Sequence, residues 1–172
     1  MENSDKARIG AARNLARKLL KQAGIKSAPV SLVTIIKELK KDHNLDIYST
    51  SGFSDKLSGI LVTLEDETQN SRRDEIHYNE NHSWVRRRFT IAHEIGHLLF
   101  NTSCKSGLAD YYDESSVFET EANAFASELL MPHEFLKRDL KGKKIDDVAF
   151  EYIVSKEALG WKVSKTNLLN YL

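Results

Sequence analysis

The chain has 172 residues, 41% of them apolar and 29% charged, and its 25 Lys+Arg balance its 25 Asp+Glu to a formal net charge of zero. A chain of this length can bury about 70% of its unfolded surface in one core. Its composition is that of a globular protein, and its neutral balance provides no global field toward nucleic acid or an acidic surface. The single cysteine, Cys104, excludes an internal disulfide and fits a reduced, cytoplasmic setting. No apolar run approaches the roughly 18 residues of a membrane span, and the first 24 residues are too charged for a signal peptide.

Residues 4–23 have the spacing of a helix, with Ala12, Leu15, Ala16, Leu19 and Leu20 on one face, Ser4 as a start signal and Gly24 as a stop. The opposite face carries Lys6, Arg13, Arg17 and Lys21, a basic stripe of the kind that usually faces solvent. A second helix is predicted after Ser31, with Val33, Ile36 and Leu39 inward. Three strands follow, at 45–49, 57–64 and 75–79, and Ile60, Val62 and Thr63 make the second the richest in β-branched residues. The polar stretch 65–74 is predicted to be an exposed loop.

Helical spacing then returns, over 84–100 and again over 115–130, where Met131-Pro132 ends it. Two or three short helices complete the chain. The expected class is α+β: one domain over 1–172, with a small mixed or antiparallel three-stranded sheet packed on a buried metal-binding helix. N-terminal helices occupy 1–44, the sheet and catalytic helices 45–132, and a helical tail 133–172.

The chemistry lies in the first of the two long helices. His93 and His97 are four residues apart, hence one turn apart on one face, so both imidazoles can reach one metal ion. Glu94 between them is placed to hold a water and accept its proton. Six His and fourteen Glu in the chain make a chance His-Glu-x-x-His match rare, roughly 0.02 per sequence of this composition. Ile91, Ile95, Leu98, Leu99 and Phe100 around it mark a buried helix, and buried histidines beside a carboxylate are costly unless something such as a metal satisfies them.

A catalytic zinc site takes three protein ligands and leaves one position open. A third histidine six positions after His97, with glycine three positions after it, is excluded, because those positions hold Ser103 and Phe100. The remaining main arrangement draws a glutamate from a later helix, and both Glu119 and Glu121 are available. Glu119 is preferred because it shares a helical face with Ala122 and Asn123, whereas Glu121 lies about 200° away around the helix. Ala122 is small enough to let the two helices approach, and Asn123 can orient a ligating imidazole.

The run Arg88-Phe89-Thr90-Ile91-Ala92-His93-Glu94-Ile95-Gly96-His97-Leu98-Leu99, followed by Glu119, Ala122, Asn123, Phe125, Ala126, Leu129, Leu130, Met131 and Pro132, resembles the ImmA/IrrE family of bacterial metallo-endopeptidases. Leu57-Ser58-Gly59, Ile76 and Asn79 add weaker support, and the likeness spans roughly residues 8–170. The resemblance implies one zinc ion per chain on His93, His97 and Glu119, with Glu94 as the catalytic residue. It also implies a protein substrate, a helix-turn-helix repressor of a mobile element or stress response. Strands begin near residue 45, leaving no room for a DNA-reading domain ahead of them, so that regulator is expected to be a separate protein. The alternative is a non-catalytic module that binds a regulator or toxin partner, with zinc in a structural role; Glu94 argues against it, since a structural site has no use for that carboxylate.

Tyr111, Tyr112 and His133 are candidate donors to the oxyanion of a hydrolytic reaction, although each reads more readily as structural or exposed. His77 and His82 read as surface or strand residues, His43 as a helix-end residue and Cys104 as a small buried hydrophobe. Arg86, Arg87 and Arg88 at the start of the metal helix oppose its dipole and so call for tertiary carboxylates or a contact surface. Residues 137–172 interleave eight basic with five acidic residues, which argues against DNA binding by the tail. An extended substrate is expected along an edge strand, 57–64 or its neighbour. The surfaces open to further docking are the basic first helix, the 65–74 loop and the helical tail.

Overall fold

The structure is a computed structural model that describes residues 7–66, 68, 70–101, 104–105 and 117–171. Helix α1 (Ile9–Gln22) starts after Arg8, and the proposed cap Ser4 lies outside the described residues. It ends as expected: Gly24 has φ +68°, the left-handed geometry that glycine adopts without penalty, and the N–H of Ile25 reaches back to the Leu20 carbonyl. Helix α2 (Leu32–Leu39) is capped by Ser31, whose hydroxyl accepts the Thr34 N–H. Its inward residues are Leu32, Ile35 and Leu39, with Ile36 partly buried; Val33, predicted to face in, is 64% exposed. The helix starts at residue 32, and that start sets which positions face the core.

Strands β1 (Leu45–Thr50), β2 (Gly59–Asp66) and β3 (Ser71–Asn79) form a mixed sheet with the two-residue β4 (Cys104–Lys105), in the order β1-β3-β2-β4. β1 runs parallel to β3, β2 antiparallel to β3, and β4 parallel to β2. Much of the 65–74 stretch is strand and not loop, with Asp66 paired to Ser71 and Glu65 to Arg72. Backbone pairing overrides the polar composition there, because the side chains of Glu65, Ser71 and Arg72 face water and need no core. Asp74 is buried beneath it, accepting bonds from the Thr63 hydroxyl at 2.7 Å and from the Arg72 guanidinium.

Ile47, Ile76 and Leu61 align across the three main strands, and with Ala92, Ile95 and Leu98 of α3 (Trp84–Phe100) they belong to one cluster of packed apolar residues. α3 therefore carries the sheet on one side. On another side it packs against α4 (Val117–Leu130), which in turn carries α1. The tail forms α5 (His133–Asp139), α6 (Ile145–Tyr152), α7 (Lys156–Lys165) and a single 3-10 turn, Leu169–Tyr171. Lys162 of α7 is 2% exposed and reaches Glu128 of α4 at 2.5 Å, while Glu128 also accepts from Arg17 of α1 and the backbone of His133. Among the described residues no helix is long and apolar enough to cross a membrane.

Candidate metal centre

α3 begins where Ser83 caps it, its hydroxyl accepting the Arg86 N–H, and ends at Asn101 in the left-handed conformation. Arg72 of β3 donates to the Asn101 side chain at 3.0 Å, tying that end of the helix to the sheet. Of the two alternatives for the arginine run, carboxylate partners or a contact surface, no carboxylate partner is found among the described residues. Arg86 donates to the Ser58 hydroxyl, Arg87 stacks over Trp84, and buried Arg88 donates to the Val30 carbonyl. Burial without a carboxylate lowers the Arg88 pKa.

Along α3, His93 and His97 fall on one face, their Nε2 atoms 3.0 Å apart. Glu119, in the first turn of α4, places Oε2 3.0 Å from His93 Nε2 and Oε1 2.9 Å from His97 Nε2. All three residues offer ligand atoms within 4.8 Å of one another, a group that could hold a metal ion. Asn123, one turn beyond Glu119, meets His93 Nδ1 with its Oδ1 at 3.0 Å. An amide oxygen there accepts a proton held on Nδ1, which leaves Nε2 as the ring atom that faces Glu119 and can serve a metal. Two imidazole nitrogens and two carboxylate oxygens thus converge, and the set of two nitrogens and one carboxylate matches catalytic zinc.

The electrostatics follow from this crowding. Burial raises the Glu119 carboxyl, but hydrogen bonds from His93 and His97 and their charges outweigh it and hold it at about 2. Burial also pulls the His93 imidazole down, yet Glu119, the charge of Glu94 and the Asn123 bond leave it above the ordinary histidine value. Glu94 is 3% exposed, and burial pushes its carboxyl up despite the nearby histidines and the Leu61 N–H it accepts from. Its Oε2 is buried with no hydrogen-bond partner among the described residues. A buried carboxylate oxygen without a donor is costly and is more usual at a working site than in a structural core.

These groups open into a cavity of about 400 Å³, walled by Ser58, Gly59, Phe89, Thr90 and Asn123 around His93, Glu94 and Glu119. Asn79, fully buried, shapes one wall by donating to the Ser54 and Leu57 carbonyls at 3.0 Å each. Two glycines set close approaches that the motif reading passes over. A Cβ at Gly96 would sit 3.1 Å from Ala122 Cα and 3.3 Å from the Phe125 ring, so Gly96 and Ala122 together bring α4 against α3. A Cβ at Gly59 would collide with Thr90 and lie 3.5 Å from Glu94 Oε1. In sequence, a glycine opposite an alanine across two apolar helices is the signal for such an approach.

Glu121 is occupied elsewhere. Fully buried, it accepts the Arg8 backbone N–H at 2.8 Å and both arms of the Arg8 guanidinium at 2.8 and 3.0 Å, anchoring the start of α1. His133 starts α5, beyond the end of α4, which runs about three turns past Glu119, and it does not line the metal cleft. Tyr111 and Tyr112 lie outside the described residues. His77 bonds Glu75 and Thr50, and His82 meets the Asp55 carbonyl, so neither is brought to the site.

The family model of the IrrE N-terminal-like domain, peptidase M78, matches residues 45–164. No curated protein matches the chain. Among solved structures, a Mycobacterium tuberculosis transcriptional regulator superposes with a TM-score of 0.63 at 13% identity, over 90% of this chain and 46% of that one. At that identity the likeness is one of fold, and the chain spans about half the length of the regulator.

Proposed function

Because the chain belongs to the peptidase M78 family of IrrE N-terminal-like domains, we propose that it is a zinc-dependent endopeptidase that cleaves a separate helix-turn-helix transcriptional regulator and so relieves repression. One observation carries the catalytic part: Glu94 is buried in the wall of the cleft beside His93, His97 and Glu119, with a carboxylate oxygen that no described residue satisfies. A structural zinc site is closed by four protein ligands and has no need of such a group.

His93, His97 and Glu119 would hold the zinc. When bound, zinc supplies Lewis-acid polarisation of the scissile carbonyl and acidifies the attacking water. Asn123 fixes the His93 ring through Nδ1, so that its Nε2 stays available. Glu94, its proton affinity raised by burial, takes the proton from the attacking water and returns it to the leaving amine. The two helices and the sheet wall keep these groups in place before substrate arrives, and that positioning lowers the barrier.

The substrate strand has a natural seat. β4 pairs with Val62 and Thr63, so Gly59 and Ile60 of β2 keep an outer edge without a ladder partner among the described residues; Gly59 is in the wall of the cleft, and the Leu61 N–H beyond them is already given to Glu94. An extended peptide can add to that edge by backbone hydrogen bonds. A cytoplasmic peptidase must be selective, and binding energy from contacts remote from the cut is one way to align a single bond. The test is mass spectrometry of the zinc-loaded protein incubated with the helix-turn-helix regulator encoded beside it, with casein in parallel. The account expects one cut in the regulator, abolished by a chelator, and little turnover of casein. Rapid turnover of casein would defeat the substrate assignment.

A further inference from the structure

A second pocket, of about 300 Å³, lies between α1, α4 and α7, lined among others by Arg13, Thr120, Asn123, Ser127, Trp161 and Lys165. Asn123 also lines the metal cleft, so it borders both cavities. Among the described residues no carboxylate lines the second pocket. The nearest buried acids of α4 are already engaged, Glu121 by Arg8 and Glu128 by Lys162 and Arg17. Arg13 is partly buried and makes no ion pair among the described residues; Lys165 makes none either, and sits 5.7 Å over the ring of Trp161, which is 62% exposed. Partly buried Arg13 and exposed Lys165, neither in an ion pair among the described residues, four neutral hydrogen-bonding side chains and an aromatic wall therefore surround one concave space, with Lys162, already paired to Glu128, beside them. Withdrawing an arginine partly from water without a counter-ion has a cost that an anion entering the pocket removes.

We propose that this pocket is a subsite for an acidic side chain of the protein substrate, close in sequence to the bond that is cut. The proposal rests on the peptidase reading of the metal cleft and specifies what that cleft selects. From Asn123 to Ser127 is one turn of α4, about 6 Å. An extended peptide covers about 3.3 Å per residue, so that turn spans about two residues and the Asp or Glu falls at least about two positions from the scissile bond. The basic face of α1, unremarkable as a solvated stripe, thereby divides: Arg13 turns into the pocket while Lys18 stays in water.

Trp161 reports on this pocket directly. With Trp84 changed to Phe it is the sole tryptophan, since the chain has two. Titrating hexaglutamate into the zinc-loaded Glu94→Gln protein in that background measures binding without hydrolysis, so an inactive enzyme does not count against the pocket and an empty pocket does not count against the enzyme. The expected result is a saturable change in Trp161 emission, absent with hexaglutamine. Kd should weaken at least tenfold in Arg13→Glu and in Lys165→Glu, be largely retained in Arg13→Lys, and be unaltered in Lys18→Glu. No saturable change, or equal weakening by Lys18→Glu, would overturn the proposal. Inorganic phosphate binding more tightly than hexaglutamate at matched ionic strength would overturn the carboxylate assignment in favour of a phosphoryl ligand.

Discussion

Replacing Gly96 with alanine tests whether the metal site depends on the close approach of α3 and α4. The added Cβ would lie 3.1 Å from Ala122 Cα, 3.3 Å from Phe125 Cδ1 and 3.4 Å from Ala122 Cβ, against a comfortable carbon–carbon separation of about 3.5–4.0 Å. Ala122 and Phe125 are buried and the nearest atom is backbone, so the helices must part by about half an ångström. Alanine gains about 1 kcal/mol over glycine in helix propensity, and overpacking costs about 1–3 kcal/mol. The net effect is therefore between nothing and a loss of about 2 kcal/mol, a fall in Tm of at most about 8 °C for a chain of this size. Glu119 stands one turn before Ala122 and moves with it. A shift of that size exceeds the tolerance of about 0.2 Å in metal–ligand distances. Zinc affinity should fall at least tenfold, about 1.4 kcal/mol, in a competition titration against a chromophoric chelator, with melting in EDTA measured alongside. A Gly96→Ala protein with wild-type zinc affinity and a raised Tm would refute the claim that this helix contact sets the donor geometry.

The two candidate carboxylates of α4 should separate by assay: Glu119→Ala loses zinc in elemental analysis yet keeps its fold, whereas Glu121→Ala keeps zinc and melts earlier, because the Arg8 backbone and side chain lose their acceptor. Glu128→Leu strands buried Lys162 without its partner and should cost about 3–5 kcal/mol in urea unfolding. Glu128 also sets an acid limit. Burial raises its carboxyl, but the charge and hydrogen bond of Lys162 and the bond from Arg17 hold it below its ordinary 4.5. Its contribution is thus present above about pH 4.5 and is lost as pH falls through the folded value, so Glu128→Gln should flatten the stability profile below pH 4.5.

α3 is legible in the sequence because its signals agree: apolar spacing over 84–100 and two histidines one turn apart. Glu119 is legible over Glu121 because the 3.6-residue period places only one of them with Ala122 and Asn123, and the structure puts that one 2.9 and 3.0 Å from the imidazoles. Other features escape such reading for a physical reason: they depend on partners distant in sequence. Arg8 meets Glu121 across 113 residues, and Val33 faces water because α2 docks through Leu32 and Ile35. The strand character of 71–74 comes from pairing with β2 and not from local propensity. The buried Lys162 reads as a solvent residue until α7 lies against Glu128.

The central claim, that Glu94 supplies the proton transfer of a metal-dependent peptide hydrolysis, is tested most directly by Glu94→Gln. The variant removes the base and no metal donor. Zinc stoichiometry and the initial rate of regulator cleavage, followed by intact mass, should be measured on the same preparation as wild type. The account predicts one zinc per chain in both proteins and a rate lower by at least about 10²-fold in the variant. A Glu94→Gln protein that cuts the regulator at the wild-type rate would contradict it.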